Sequence, residues 1–286
     1  MKTRRKILIQ MANPAGNKTA FVLNGARPSE YSGIARSILE DGEHDAEQVG
    51  FVKGTDSFDM AGMEFCGNAS RAFALISAKG MIDGNCSDEE PVTMQVTVSD
   101  SEKPVTCQVR PSDDYAGISM PLPKRVKTLT HCDFDPAEGH DVIIMDGIAH
   151  IVMDDVEYTE ENFQMIKDAV MTQFDPQAMG VMYLDRESMS LTPVVYVKDI
   201  GSTYIEGSCC SGSTAAVYTL SKGLDDGEYS YELTQPRGVI NAKVTVKDGS
   251  VTDIYVDGPV EISEPEFIDL EFETDEDERT EMADTW

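Results

Sequence analysis

Cys66 and Cys209 carry the chemistry this sequence can be asked to perform. Cys66 opens Cys66-Gly67-Asn68-Ala69-Ser70-Arg71 and Cys209 opens Cys209-Cys210-Ser211-Gly212-Ser213, each followed by an Ala-containing run with the composition of a helix. A cysteine at a helix N-terminus faces unpaired backbone N–H groups and the positive end of the dipole, so its pKa is expected to fall towards neutral pH. The same N–H groups can hold a carboxylate. If two such helix ends face one another, a small carboxylic acid lies between two thiols. Its α-proton can then leave from one face while another proton arrives on the opposite face. One sulfur must begin as thiolate and the other as thiol, and reversing the reaction exchanges the roles. The intervening carbanion needs donors around the carboxylate in a water-poor site. No pyridoxal-type lysine motif accompanies the pair, so neither a cofactor nor a metal is expected.

An internal repeat positions the two cysteines. The stretches 66–84 and 209–227 align without gaps at an offset of 143 residues, and seven of 19 positions are identical. Among these are Cys66/Cys209, Ser70/Ser213, Ala72/Ala215, Lys79/Lys222 and Gly80/Gly223. Both copies read as a helix of about three turns with Lys-Gly as its stop. Further helices are expected over 30–40 and 160–174, and strands over 92–98, 192–198, 239–247 and 267–272. Lys2 to Ile9 reads as a strand entering a turn at Asn13-Pro14. The fold class expected is α/β (α+β), with two pseudo-symmetric domains, each wrapping β-structure around a central helix, and a site in the cleft between them. The boundaries are 1–127 with Cys66, 128–273 with Cys209, and an acidic tail over 274–286. The junction falls in the aperiodic stretch 124–141, and the last strand could return to the first half.

Composition narrows the function classes. The chain has 286 residues, 41% of them hydrophobic, which suffices for a sizeable core. Its net charge of −29 opposes binding to nucleic acid and to anionic membrane, and no apolar run approaches the roughly 20 residues needed to span a bilayer. A cytoplasmic protein is expected, with a small carboxylic acid as partner and a homodimer left open as the assembly. The six cysteines show no C-x-x-C pair, so neither a zinc site nor a disulfide framework is signalled. Cys86, Cys107 and Cys132 read as structural thiols. A disulfide between Cys66 and Cys209 in the absence of substrate, and a thiol-redox role for Cys209-Cys210, remain open.

At these residues the sequence resembles the diaminopimelate epimerase-like superfamily of cofactor-independent racemases and epimerases. Glu64-Phe65-Cys66-Gly67-Asn68 is similar to that family's first cysteine loop. The second loop, normally Cys-Gly-Thr/Ser-Gly, here reads Cys209-Cys210-Ser211-Gly212, so Cys210 replaces a glycine. Asn13-Pro14-Ala15-Gly16-Asn17 resembles the N-terminal substrate loop, and Glu47-Gln48-Val49-Gly50-Phe51 resembles a segment with a substrate-contacting Gln. Gln235-Pro236 and Gly258-Pro259 resemble the closing strands. The resemblance implies a fold of two similar domains, each contributing one catalytic cysteine, and covers nearly the whole chain before the tail.

Departures bear on the substrate. Where diaminopimelate epimerases carry a Glu-Arg pair, the Arg gripping a distal carboxylate, this chain has Ile200-Gly201. The motif variants, including Glu206-Gly207-Ser208-Cys209, look instead like the histidine-racemase branch. The resemblance therefore implies a histidine or broad amino-acid racemase with Cys66 and Cys209 as its two acid/base groups; the alternative is diaminopimelate epimerase. Substrate contacts implied by family position are Asn17, Gln48, Gly67, Asn68, Cys210 and Ser211. Glu47 or Glu206 could pair with a substrate ammonium or imidazolium or merely cap a loop. His150 reads as a structural histidine. A non-catalytic amino-acid-binding protein is the reading from another class.

Overall fold

The computed structural model describes residues 2–81, 91–198 and 201–274. The sequence expectations for Cys86 and for the tail beyond 274 lie outside the described residues.

The chain begins with the long strand β1 (Lys2–Pro14), which turns through a left-handed Gly16 into β2 (Thr19–Val22). Helix α1 (Pro28–Asp41) crosses over to β3 (Gln48–Val52), parallel to β2, and β4 (Ser57–Met60) returns antiparallel. Helix α2 (Gly67–Met81) follows, then the meander β5 (Val92–Val98), β6 (Val105–Arg110) and β7 (Tyr115–Ser119).

The second half repeats this grammar. After β8 (Arg125–Thr128) and β9 (Asp141–Ile144), strand β10 (Ile148–Asp154) leads through α3 (Glu160–Phe174) to a parallel partner, β11 (Ala178–Asp185). Then β12 (Ser190–Val197) returns antiparallel and β13 (Ser202–Ile205) continues the hairpin. Helix α4 (Cys210–Ser221) precedes a second meander of β14 (Gly227–Gln235), β15 (Gly238–Lys247) and β16 (Ser250–Ile262), and β17 (Glu266–Glu273) ends the fold. Each half thus has one parallel crossover through a helix, one antiparallel return, a second helix and one meander, in the same order. The halves are stitched together by β16, which pairs with both β7 and β1, and by β17, which lies antiparallel along β1.

The helices of the repeat fill the two cores. Ala69, Ala72, Phe73, Leu75 and Ala78 of α2 are buried against β1, β5, β6 and β7, and Ala215, Ala216 and Val217 of α4 against β10, β15 and β16. Alanine on most faces lets strands close around each helix, while Phe73 locks into Phe21 and Phe58. Burying a side chain of this size contributes about 1.5–3 kcal/mol. The helices α1 and α3 cover the outer faces. Thr159 caps α3 by accepting from Asn162 N–H, and Glu30 of α1 accepts from Arg27 N–H at 2.9 Å.

Two local expectations change. Gly223 ends α4 in a left-handed conformation (φ 80°), whereas Gly80 stays inside α2, which runs to Met81. The stretch 124–141 is not all irregular, because β8 pairs with β9 in a short ladder that its sequence period does not show. Among the described residues no helix is long and apolar enough to cross a membrane.

Candidate active site

The repeat gives the two candidate cysteines the same local geometry. Cys66 Sγ accepts from Ala69 N–H at 3.4 Å and Cys209 Sγ from Gly212 N–H at 3.3 Å, so each sulfur caps its own helix three residues on. Behind them, Ser70 Oγ donates to Cys66 C=O at 2.8 Å and Ser213 Oγ to Cys209 C=O at 2.7 Å, which accounts for serine at that position in both copies. Gln235 at the end of β14 clamps the second cap: its Oε1 accepts from Cys209 N–H and its Nε2 donates to Ser213 Oγ, both at 2.8 Å.

The helix ends abut. A Cβ built on Gly67 would stand 2.9 Å from Cys210 Cβ, so the residues that follow the two cysteines are in backbone-close contact. Asn68 is buried in the seam. Its Nδ2 donates to Ser208 C=O and Oγ at 3.4 and 3.3 Å, and its Oδ1 accepts from Cys210 Sγ at 3.1 Å and Arg71 Nε at 3.2 Å. Cys210 thus points its thiol into the seam. Arg71 is fully buried, and its Nη1 donates to the carbonyls of Gly258 and Ala116.

Amides and carboxylates surround the sulfurs. Gln48 lies 3.5 Å from Cys66 Sγ through both Nε2 and Oε1, so it can accept from a thiol or donate to a thiolate. Its Nε2 is anchored on Asn17 Oδ1 at 2.6 Å and Thr19 Oγ1 at 2.8 Å, and Asn17 Nδ2 donates to Glu47 at 3.2 Å. On the other side, Cys209 Sγ sits 3.4 Å from Ser211 Oγ and is hydrogen-bonded to the Glu206 carboxyl. Burial pushes Glu206 up to about 7, and Glu47 across the site adds to the shift. Glu47 is also raised by burial, with Asn17 and Arg237 pulling the other way.

The thiols depart from the expectation for helix-capping cysteines. Burial pushes Cys66 up to about 12 and Cys209 well above the ordinary thiol value, and Glu206 raises Cys209 further. The cap N–H groups oppose the shift but do not overcome the loss of water. Thiols raised in this way hold their protons at neutral pH, and all five described cysteines are unpaired.

His150 on β10 is structural in its burial yet touches the site: its Nε2 is 2.9 Å from Ser211 Oγ, and burial pulls its pKa down to about 4. Between pH 6.5 and 4 the unfolded chain binds a proton here that the folded chain refuses, so stability falls as pH falls through that window. Replacing His150 by Gln should remove about 2 kcal/mol of the loss between pH 7 and pH 4.5. Urea unfolding at pH 7 and pH 4.5 measures it, and an unchanged difference between the two pH values would contradict the neutral assignment.

All ten residues expected at the site from the sequence are brought into this one cluster. Sequence reading missed Thr19, Ser208, Arg71 as a seam residue, and Arg237, whose Nη1 donates to Glu47 Oε1 at 2.6 Å. Nothing in the pattern Gln235-Pro236-Arg237-Gly238 signals that contact, since the pair is 190 residues apart. Among the described residues the group whose ligand atoms converge as for a metal is Asp41, Glu43 and His44 at the end of α1, none of them part of this cluster.

Residues 7–265 match the family model described as the histidine racemase CntK N-terminal domain. A histidine racemase of Fusobacterium nucleatum is 33% identical over 256 residues, covering 87% of this chain and 91% of that protein. One from Staphylococcus aureus is 27% identical, covering 83% and 88%. In structure the chain is similar to a hydroxyproline epimerase from Agrobacterium vitis bound to trans-4-hydroxy-L-proline. The TM-score is 0.63 over 94% of each chain at 12% identity, a likeness of fold.

Proposed function

Because the chain belongs to the histidine racemase CntK N-terminal domain family, and is thereby an isomerase of the racemase and epimerase kind, we propose that it inverts the α-carbon of free histidine without a cofactor. The observation that carries this reading is the matched pair of cysteine-capped helix ends meeting at Gly67 and Cys210. The substrate carboxylate takes the free N–H groups of α2 and α4, and the α-carbon lies between Cys66 and Cys209. One thiolate removes the α-proton, the opposite thiol delivers its own to the other face, and the sulfurs have then exchanged states. Helix-end donors hold the charge that spreads onto the carboxylate during the transfer.

The raised thiol pKa values fit a site that is activated by its substrate. The α-ammonium brings a positive charge next to both sulfurs, which favours a thiolate. Glu206, poised near neutrality beside Cys209, accepts the thiol proton: Cys–SH and carboxylate become thiolate and carboxylic acid. Glu47 supplies an anionic partner for the α-ammonium.

The diaminopimelate alternative has less support. The similar curated relatives are histidine racemases, and Gly201, at the position expected for a carboxylate-gripping arginine, has no side chain; Ile200 lies outside the described residues. The deciding experiment is proton NMR in D₂O with reductant on a panel of L-amino acids. Loss of the α-proton signal of histidine is expected. Exchange confined to diaminopimelate, or none in any amino acid from a folded and reduced sample, would overturn the reading.

A further inference from the structure

We propose that Arg237 divides the labour of the two carboxylates: clamped between Gly16 and Gly207, it holds Glu47 as the anion of the pair and leaves Glu206 to exchange protons with Cys209. The inference rests on the reading of Cys209 as an acid/base group and adds a positioning residue that acts on it through Glu47 and Glu206.

The clamp is built from backbone. Arg237 sits in the tight turn between β14 and β15, and its N–H donates to Gly207 C=O at 2.9 Å. A Cβ on Gly16 would lie 2.2 Å from Arg237 Cβ, and one on Gly207 would lie 2.9 Å from Arg237 Cδ. Both glycines are therefore needed for the arginine stem to pass, and each adjoins a functional residue: Gly16 precedes Asn17, and Gly207 follows Glu206. The stem is thus held against both site loops, and the guanidinium reaches Glu47 from the opposite half of the molecule at 2.6 Å.

The surroundings make this cation decisive. Glu47 is faced by Arg237, Asn17, Lys18, Asp45 and Glu206. Lys18 is already committed to Asp45 at 3.0 Å. Glu206 is faced by Cys209, Cys210 and Glu47, and none of the ion pairs among the described residues gives it a cation. Two carboxylates that feel each other in a partly buried site share protons unless something separates them. A positive charge fixed on one of them does so, because that carboxylate stays ionised and the other becomes the group that titrates.

Removing the cation must favour protonation of the pair. In Arg237→Gln the apparent pKa of the pair should rise by about one unit, and the acid limb of kcat/KM for histidine should move up with it. Activity at pH 7 should then fall several-fold while activity at pH 9 stays near wild type, and Arg237→Lys should keep the wild-type limb. A merely structural arginine would lower activity alike at every pH. The direct readout is carbon-13 NMR of protein labelled at the glutamate side-chain carboxyls, with Glu47 and Glu206 assigned by their Gln variants. It needs no turnover, so it tests Arg237 even if histidine proves not to be the substrate. An unmoved carboxyl titration in Arg237→Gln, or a Lys variant that behaves like the Gln variant, would overturn the proposal.

Discussion

Replacing either Cys66 or Cys209 by serine should lower histidine racemisation by about 10³-fold or more while leaving the fold intact. A positioned acid/base group contributes about 10²–10⁴ in rate, and a hydroxyl gives up its proton far less readily than a thiol. Stability should be unaffected or improved, because serine is a better helix cap than cysteine: its Oγ can accept from Gly212 N–H, or from Ala69 N–H in the other half, as the sulfur does. The double variant should be hardly worse than either single one, since the two sulfurs act as one unit and losing one already stops inversion. Turnover measured by circular dichroism of histidine, with thermal unfolding as control, checks this. Racemisation retained in both single variants would remove the two-thiol mechanism.

The site was legible in the sequence to the extent that local rules decide it. Capping is a matter of three residues, so Cys66 and Cys209 could be placed on helix ends from their neighbours alone. The repeat also marks Ser70 and Ser213, whose hydroxyls bond the cysteine carbonyls. The bounds of α3 and β5 match the expected 160–174 and 92–98 because apolar periodicity and caps agree there. What stayed hidden depends on distant segments meeting. Nothing local tells Arg237 that Glu47 will be its partner, or β16 that it will pair with β7 and β1 at once. The thiol pKa values escape the local sequence for the same reason. The N–H groups that lower them belong to the helix itself, but the burial that raises them is a property of the folded chain around each sulfur.

The departure at Cys210 makes the contact between the halves testable. A Cβ on Gly67 would lie 2.9 Å from Cys210 Cβ and 2.9 Å from Met120 Sδ. The methionine sulfur is near the end of a flexible chain and can move aside, whereas Cys210 Cβ is fixed to the first turn of α4. Gly67→Ala should therefore wedge the helix ends apart and with them the two sulfurs. A misplacement approaching 1 Å can cost about 10²-fold in rate, so a loss of about 10- to 100-fold is expected. The resemblance suggests its own rescue, because the related loops carry glycine where this chain has Cys210. Cys210→Gly alone gives up the bond to Asn68 and the packing of a buried thiol, together with about 1 kcal/mol of helix propensity, and should lower activity only slightly. Added to Gly67→Ala, it deletes the atom that the new methyl strikes. The double variant should then be faster than Gly67→Ala by about ten-fold, a coupling that independent sites do not show. If the double variant is no faster than Gly67→Ala, the distance between the sulfurs is not set by this contact. Full activity in Gly67→Ala alone would mean that the helix ends tolerate more separation than a proton transfer between fixed thiols allows.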